Sequence, residues 1–111
     1  MGYFVDKEKD VPAQEVWPGI IGRLVHTEHC TIADFQIVAG TKLPAHAHPH
    51  EQTSTVLTGR FRFTVGGETK ELIAGQVAVI PGNVEHSGEA LTDCRIIDVF
   101  SPVREDYRVS K

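Results

Sequence analysis

The feature that most constrains this chain is a succession of short apolar runs, alternating or β-branched, each closed by glycine or proline. Almost nothing in it repeats with a helical period. Residues 20–27 and 31–38 read as strands separated by a polar turn, and Gly40 ends the second. Residues 52–58 are rich in Thr and Val as far as Gly59. In 60–65 the residues Phe61, Phe63 and Val65 share one face, with Arg60, Arg62 and Thr64 on the other. Gly66-Gly67 supplies positive φ for a hairpin turn. Residues 68–73, 76–80, 86–91 and 94–100 continue the series, with Ala74-Gly75 and Pro81-Gly82-Asn83 among the breaks. About eight short strands at even spacing predict an all-β antiparallel sandwich or barrel.

A chain of 111 residues has room for one core, so residues 1–111 are read as a single domain. Residues 1–19 are read as a polar N-terminal arm whose Trp17 packs either on a partner subunit or on its own barrel. Residues 101–111 are read as a C-terminal tail. Fifteen acidic against eleven basic residues, with no basic stripe, speak against nucleic acid as a partner. No apolar stretch approaches the ~20 residues that span a bilayer, and the first residues lack the basic start and apolar run of a signal peptide. Cys30 and Cys94 are too few and too separated for a disulfide framework. Cys94 is expected as a buried small hydrophobe, and a reducing cytoplasm is the expected location.

The chemistry is concentrated between Gly40 and Gln52. Residues two apart on an extended segment point to the same side, so His46 and His48 can aim into one cavity and Gln52 shares their parity. His86 follows the Pro81-Gly82-Asn83 turn and arrives from another part of the fold. Imidazole nitrogens bind Zn, Ni, Fe, Cu or Mn, and three of them leave positions open for water or substrate. Glu51 rivals Gln52 as fourth ligand, but its parity points it away from His48. His26 and His29 have no such framing and are read as solvated turn residues, and Pro49 argues against a regular strand at His50. Asp98 lies in an otherwise apolar strand, on one face with Cys94, Ile96 and Phe100. A carboxylate there is a site candidate, against the plain alternative of a strand-end Asp capping a turn. Arg104 offers two-pronged recognition of a carboxylate, or a surface ion pair.

These residues resemble the two cupin motifs. Gly40, His46, His48, Gln52 and Gly59 match the first, with Gln52 standing where Glu is usual; Gly75, Pro81 and His86 match the second, with Asn83 standing where glycine is usual. Asn tolerates the left-handed conformation that the turn needs. The resemblance implies a jelly-roll barrel, commonly a homodimer. His-Pro-His-Glu-Gln at 48–52, Ile-Pro-Gly-Asn-Val-Glu-His at 80–86 and Asp-Val-Phe-Ser-Pro-Val-Arg-Glu-Asp-Tyr at 98–107 further resemble the pectin-degradation cupins, which linearise 4,5-unsaturated uronates. That likeness implies one divalent ion (Ni, Zn, Fe or Mn) on His46, His48, Gln52 and His86. It also implies Asp98 and Arg104 as catalytic residues, Phe100 and Arg104 as substrate-binding residues, and a small anionic sugar as substrate. A cupin dioxygenase using Fe(II) and a non-enzymatic sugar- or metal-binding module are the alternatives.

Overall fold

In the computed structural model, residues 1–108 are described, and they form two antiparallel sheets packed face to face. One helical turn, α1 (Lys7–Asp10), precedes β1 (Gln14–Trp17), β2 (Ile20–His26), β3 (Thr31–Ile37), β4 (Lys42–His46) and β5 (Glu51–Thr58). Then follow β6 (Phe61–Val65), β7 (Glu68–Leu72), β8 (Val77–Ile80), β9 (His86–Ala90), β10 (Cys94–Ser101) and a 3-10 turn, Glu105–Tyr107. The larger sheet has the order β1-β2-β3-β10-β5-β8 and the smaller β4-β9-β6-β7. Among the described residues no ladder joins the two, so the expected barrel is a two-sheet jelly roll rather than a closed cylinder.

Alternation places the core between the sheets. The larger sheet contributes Ile20, Leu24, Ala33, Phe35, Ile37, Val56, Ile96 and Phe100, and the smaller contributes Phe61, Phe63, Leu72 and Ala90. Gly66 and Gly67, at φ 55° and 87°, make the β6–β7 hairpin as expected. Asn83 has φ 65°, so the asparagine in the β8–β9 turn does adopt the left-handed conformation. Cys94 is buried, and its thiol donates to the carbonyls of Arg60 and Thr92. No helix among the described residues is long and apolar enough to cross a membrane.

Three expectations need correction. Residues 1–19 are not a plain arm. Asp6 caps α1 through the Glu8 and Lys9 amides, Lys7 bonds the buried Asp34 at 2.7 Å, and β1 pairs with β2. Trp17 packs on its own chain, its indole donating to the Lys42 carbonyl at 3.1 Å. Residues 101–108 are not a plain tail, because Val103 and Arg104 are buried and Tyr107 packs against the core (109–111 lie outside the described residues). His26 is not a solvated turn residue either: it ends β2 half-buried, with Nδ1 2.8 Å from the Thr31 hydroxyl. His29 does extend into solvent.

Candidate metal centre and adjoining cavity

The smaller sheet delivers two of the imidazoles directly. His46 ends β4 and His86 opens β9, and the two residues are register partners across that pair. β4 is an edge strand with irregular register between Leu43 and His46, the setting in which Pro44 is tolerated. His48 arrives differently. It lies in the loop between β4 and β5, so strand alternation does not run unbroken from His46 to Gln52. The loop is held instead by the amide of Asn83, which donates to the His48 carbonyl at 2.7 Å. The left-handed Asn83 turn thus ties one ligand-bearing segment to the other.

The three rings converge, with centroids 4.3 Å apart for His46–His86, 4.8 Å for His48–His86 and 5.8 Å for His46–His48. One nitrogen from each lies within 4.8 Å of the others. Every Nδ1 faces a backbone carbonyl: Pro44 at 2.8 Å, His50 at 3.1 Å and Val84 at 2.9 Å. A carbonyl can only accept, so each Nδ1 carries the proton and each Nε2 presents a lone pair. Burial lowers the pKa of His48 and of His86, which favours the neutral, ligating form of both rings.

Gln52 completes the argument for a cation. Its Nε2 donates to the Ser54 hydroxyl at 2.9 Å and to Asp98 Oδ2 at 3.2 Å, which fixes the amide's orientation. Its Oε1 therefore faces His48 Nε2 at 3.1 Å. With the tautomer set by Nδ1, this brings two lone pairs together, an arrangement that repels unless a positive charge lies between them. His86 Nε2 is buried with no hydrogen-bond partner among the described residues. The donor set of three imidazoles and one amide oxygen fits a divalent transition metal. Glu51, the rival on β5, is exposed and away from this cluster.

A cavity of about 220 Å³ adjoins the rings, and its lining includes His46, Gln52, His86, Asp98, Phe100 and Arg104. Asp98, on β10, stands opposite Ser54 of β5 in register. Its Oδ2 accepts from Gln52, and its Oδ1 is buried without a partner among the described residues. Burial pushes its carboxyl up to about 7, opposed by the Ser54 hydroxyl and the charge of Arg104. Arg104 is 8% exposed and pairs with Asp106 at 2.7 Å, a more enclosed arrangement than a surface ion pair. Its Cζ lies 4.6 Å from the centroid of the Phe100 ring and 4.0 Å from that of Tyr107. The backbone N–H of Arg104 donates to the buried Thr31 hydroxyl at 2.9 Å.

All seven residues singled out in the sequence, His46, His48, Gln52, His86, Asp98, Phe100 and Arg104, thus come together around one centre. Ser54, Asp106 and Tyr107 were not anticipated. Ser54 could have been found, since it shares Gln52's parity as a polar residue on an inward face. Asp106 and Tyr107 lie within the 98–107 stretch that carries the resemblance, but nothing in their own spacing marks them as site residues.

Comparison with known proteins agrees with this fold. The family model described as a cupin domain matches residues 33–100. The structure of an RmlC-like cupin from Shewanella frigidimarina aligns with a TM-score of 0.89 at 28% identity, covering 97% of each chain. That of KdgF from Halomonas sp. aligns with a TM-score of 0.86 at 32% identity, covering 97% of this chain and 99% of that one. An uncharacterized protein of Streptomyces coelicolor is 28% identical over 81 residues, which is 72% of this chain and 77% of the relative.

Proposed function

This chain belongs to the cupin family, and on that premise we propose that it is a metal-dependent enzyme that opens cyclic 4,5-unsaturated uronate monosaccharides to their linear keto form. The observation that carries this reading is that one cavity joins a three-imidazole centre to a buried carboxylate, Asp98, and a buried guanidinium, Arg104. The resemblance to pectin-degradation cupins and the structural likeness to KdgF support it. The cavity, at about 220 Å³, falls below the roughly 300–1,000 Å³ of sites for drug-sized ligands, which suits one sugar ring better than an oligosaccharide.

The substrate is an enol ether whose C4=C5 bond adjoins a carboxylate and the ring oxygen. Opening removes the anomeric hydroxyl proton, forms the C1 carbonyl, breaks C1–O5 and delivers a proton to C4, leaving a ketone at C5. Substrate and product are isomers, so no oxidant or reductant is required. A divalent ion held by His46, His48, His86 and Gln52 would supply Lewis acidity toward the sugar's oxygens. Asp98 takes and returns the proton at Oδ1, the oxygen that Gln52 leaves free, and its raised pKa populates both protonation states near neutrality. Arg104 receives the substrate carboxylate, and Phe100 bounds the sugar's face.

The test follows loss of the enol-ether absorbance of a freshly released unsaturated galacturonate, with the spontaneous rate subtracted. The expected outcome is a net rate abolished by chelator and restored by added metal. A metal-loaded protein that adds nothing to the spontaneous rate would sink the proposal.

A further inference from the structure

Taking the ligand's carboxylate from the ring-opening reading, we propose that Asp106 is a positioning residue that fixes the Arg104 guanidinium as the receptor for that carboxylate. Asp106 grips the cation at two points: Arg104 Nε donates to Oδ1 at 2.9 Å and Nη2 donates to Oδ2 at 2.7 Å. A guanidinium has five N–H donors, so three remain outside this pair. Arg104 lines the cavity and Asp106 does not, and the Asp106 side chain is 58% exposed. The carboxylate therefore holds the guanidinium from the solvent side, while the rest of the fork belongs to the cavity wall.

The surrounding contacts fix the plane as well as the edge. The Phe100 and Tyr107 rings stand at 83° to one another, and the guanidinium carbon lies over both. The turn that carries Asp106 is anchored on either side, by the Arg104 amide on Thr31 and by Gln14 Nε2 donating to the Tyr107 carbonyl at 3.3 Å. A free arginine side chain has large rotamer entropy. Holding it in advance removes that cost from the binding step.

An opposing effect sets the sign of the test. Asp106 also tempers the charge of Arg104, so its removal would favour an anion through electrostatics alone. That charge sits in solvent and is screened, whereas the Phe100 and Tyr107 rings lie against the guanidinium face and do not replace the two hydrogen bonds along its edge, so loss of aim outweighs gain of charge.

Calorimetric titration of the metal-loaded protein with D-galacturonate and with its neutral amide reads this directly, without turnover. Wild type should prefer the acid. Asp106→Ala should weaken the acid about tenfold and the amide less than about twofold. Asp106→Glu, which keeps a two-oxygen acceptor, should recover most of the loss. In turnover, KM should rise in Asp106→Ala with kcat within about threefold, the signature of lost ground-state binding. Unchanged or tighter acid binding by Asp106→Ala, equal weakening of acid and amide, or no preference in wild type overturns the inference. The titration pattern without turnover of the unsaturated sugar would overturn the ring-opening reading and leave the role of Asp106 intact.

Discussion

Asp98 holds its two oxygens in different circumstances, one receiving the Gln52 amide and the other buried without a partner. Asp98→Asn tests this division, because an amide can still present its oxygen to Gln52 but cannot exchange a proton. The variant should bind metal like wild type and lose at least roughly a hundredfold of net ring-opening rate, the usual scale for a positioned acid/base group. Metal content by mass spectrometry and the corrected rate are the two measurements. Unchanged net activity would remove Asp98 from the chemistry. Gln52 makes a separate prediction. A neutral amide leaves the metal's double positive charge uncompensated, so an anionic sugar should bind more weakly to Gln52→Glu. Equal or tighter uronate binding by that variant contradicts the argument.

Close packing between strands fixes how the elements meet. A Cβ added at Gly88 on β9 would run into the Phe61 ring on β6, although the backbone there is unstrained. Gly88→Ala should therefore cost about 1–3 kcal/mol in chemical denaturation by overpacking. The element α1 docks through charge. Asp34 accepts from Arg95 and Lys7, and the Arg95 guanidinium holds its carboxyl down at about 2, below the usual value of 3.8. A depressed carboxylate pKa stabilises the fold above the unfolded value, and that contribution fades as pH falls from about 4 to about 2. Asp34→Asn should thus lose on the order of 1–2 kcal/mol at neutral pH, discounted because Arg95 is half exposed, and little at pH ~2. Denaturation at the two pH values checks it.

The same elements explain what could be read in advance. β2, β5, β6, β8 and β10 alternate because one face is buried, and alternation is legible, whereas β7 and β9 do not alternate and were legible only through the turns that bound them. β4 was missed because it is an edge strand carrying Pro44 and buries little, and β1 because its Gln14-Glu15-Val16-Trp17 run is half polar. The candidate ligands were legible through spacing, though His48 reaches the cluster by a loop tether rather than by strand parity. Arg104 and Asp106 lie in one stretch of resemblance, but only Arg104 was given a role there; the part of Asp106 emerges because the chain folds residues 103–107 back onto Thr31 and Gln14.

At the scale of the whole molecule, the candidate centre is a joint between the sheets. His46 and His86 belong to the smaller sheet, Gln52 belongs to the larger, and among the described residues no backbone ladder links the two. A ligand that binds only the folded chain shifts its stability by mass action, about 2.7 kcal/mol at a free concentration one hundred times Kd. In a domain of this size each kcal/mol moves Tm by roughly 4 °C, so saturating metal should raise Tm by about 10 °C over the chelated protein. His86→Ala should abolish the shift, because it removes a buried ligand whose Nε2 has no other partner among the described residues. His29→Ala, at an exposed histidine outside the three-imidazole cluster, should keep the full shift. Scanning calorimetry of these proteins with and without metal decides the matter. An equal response in His86→Ala and His29→Ala would mean that the ion acts elsewhere on the chain, whereas loss in the first alone places it between the sheets.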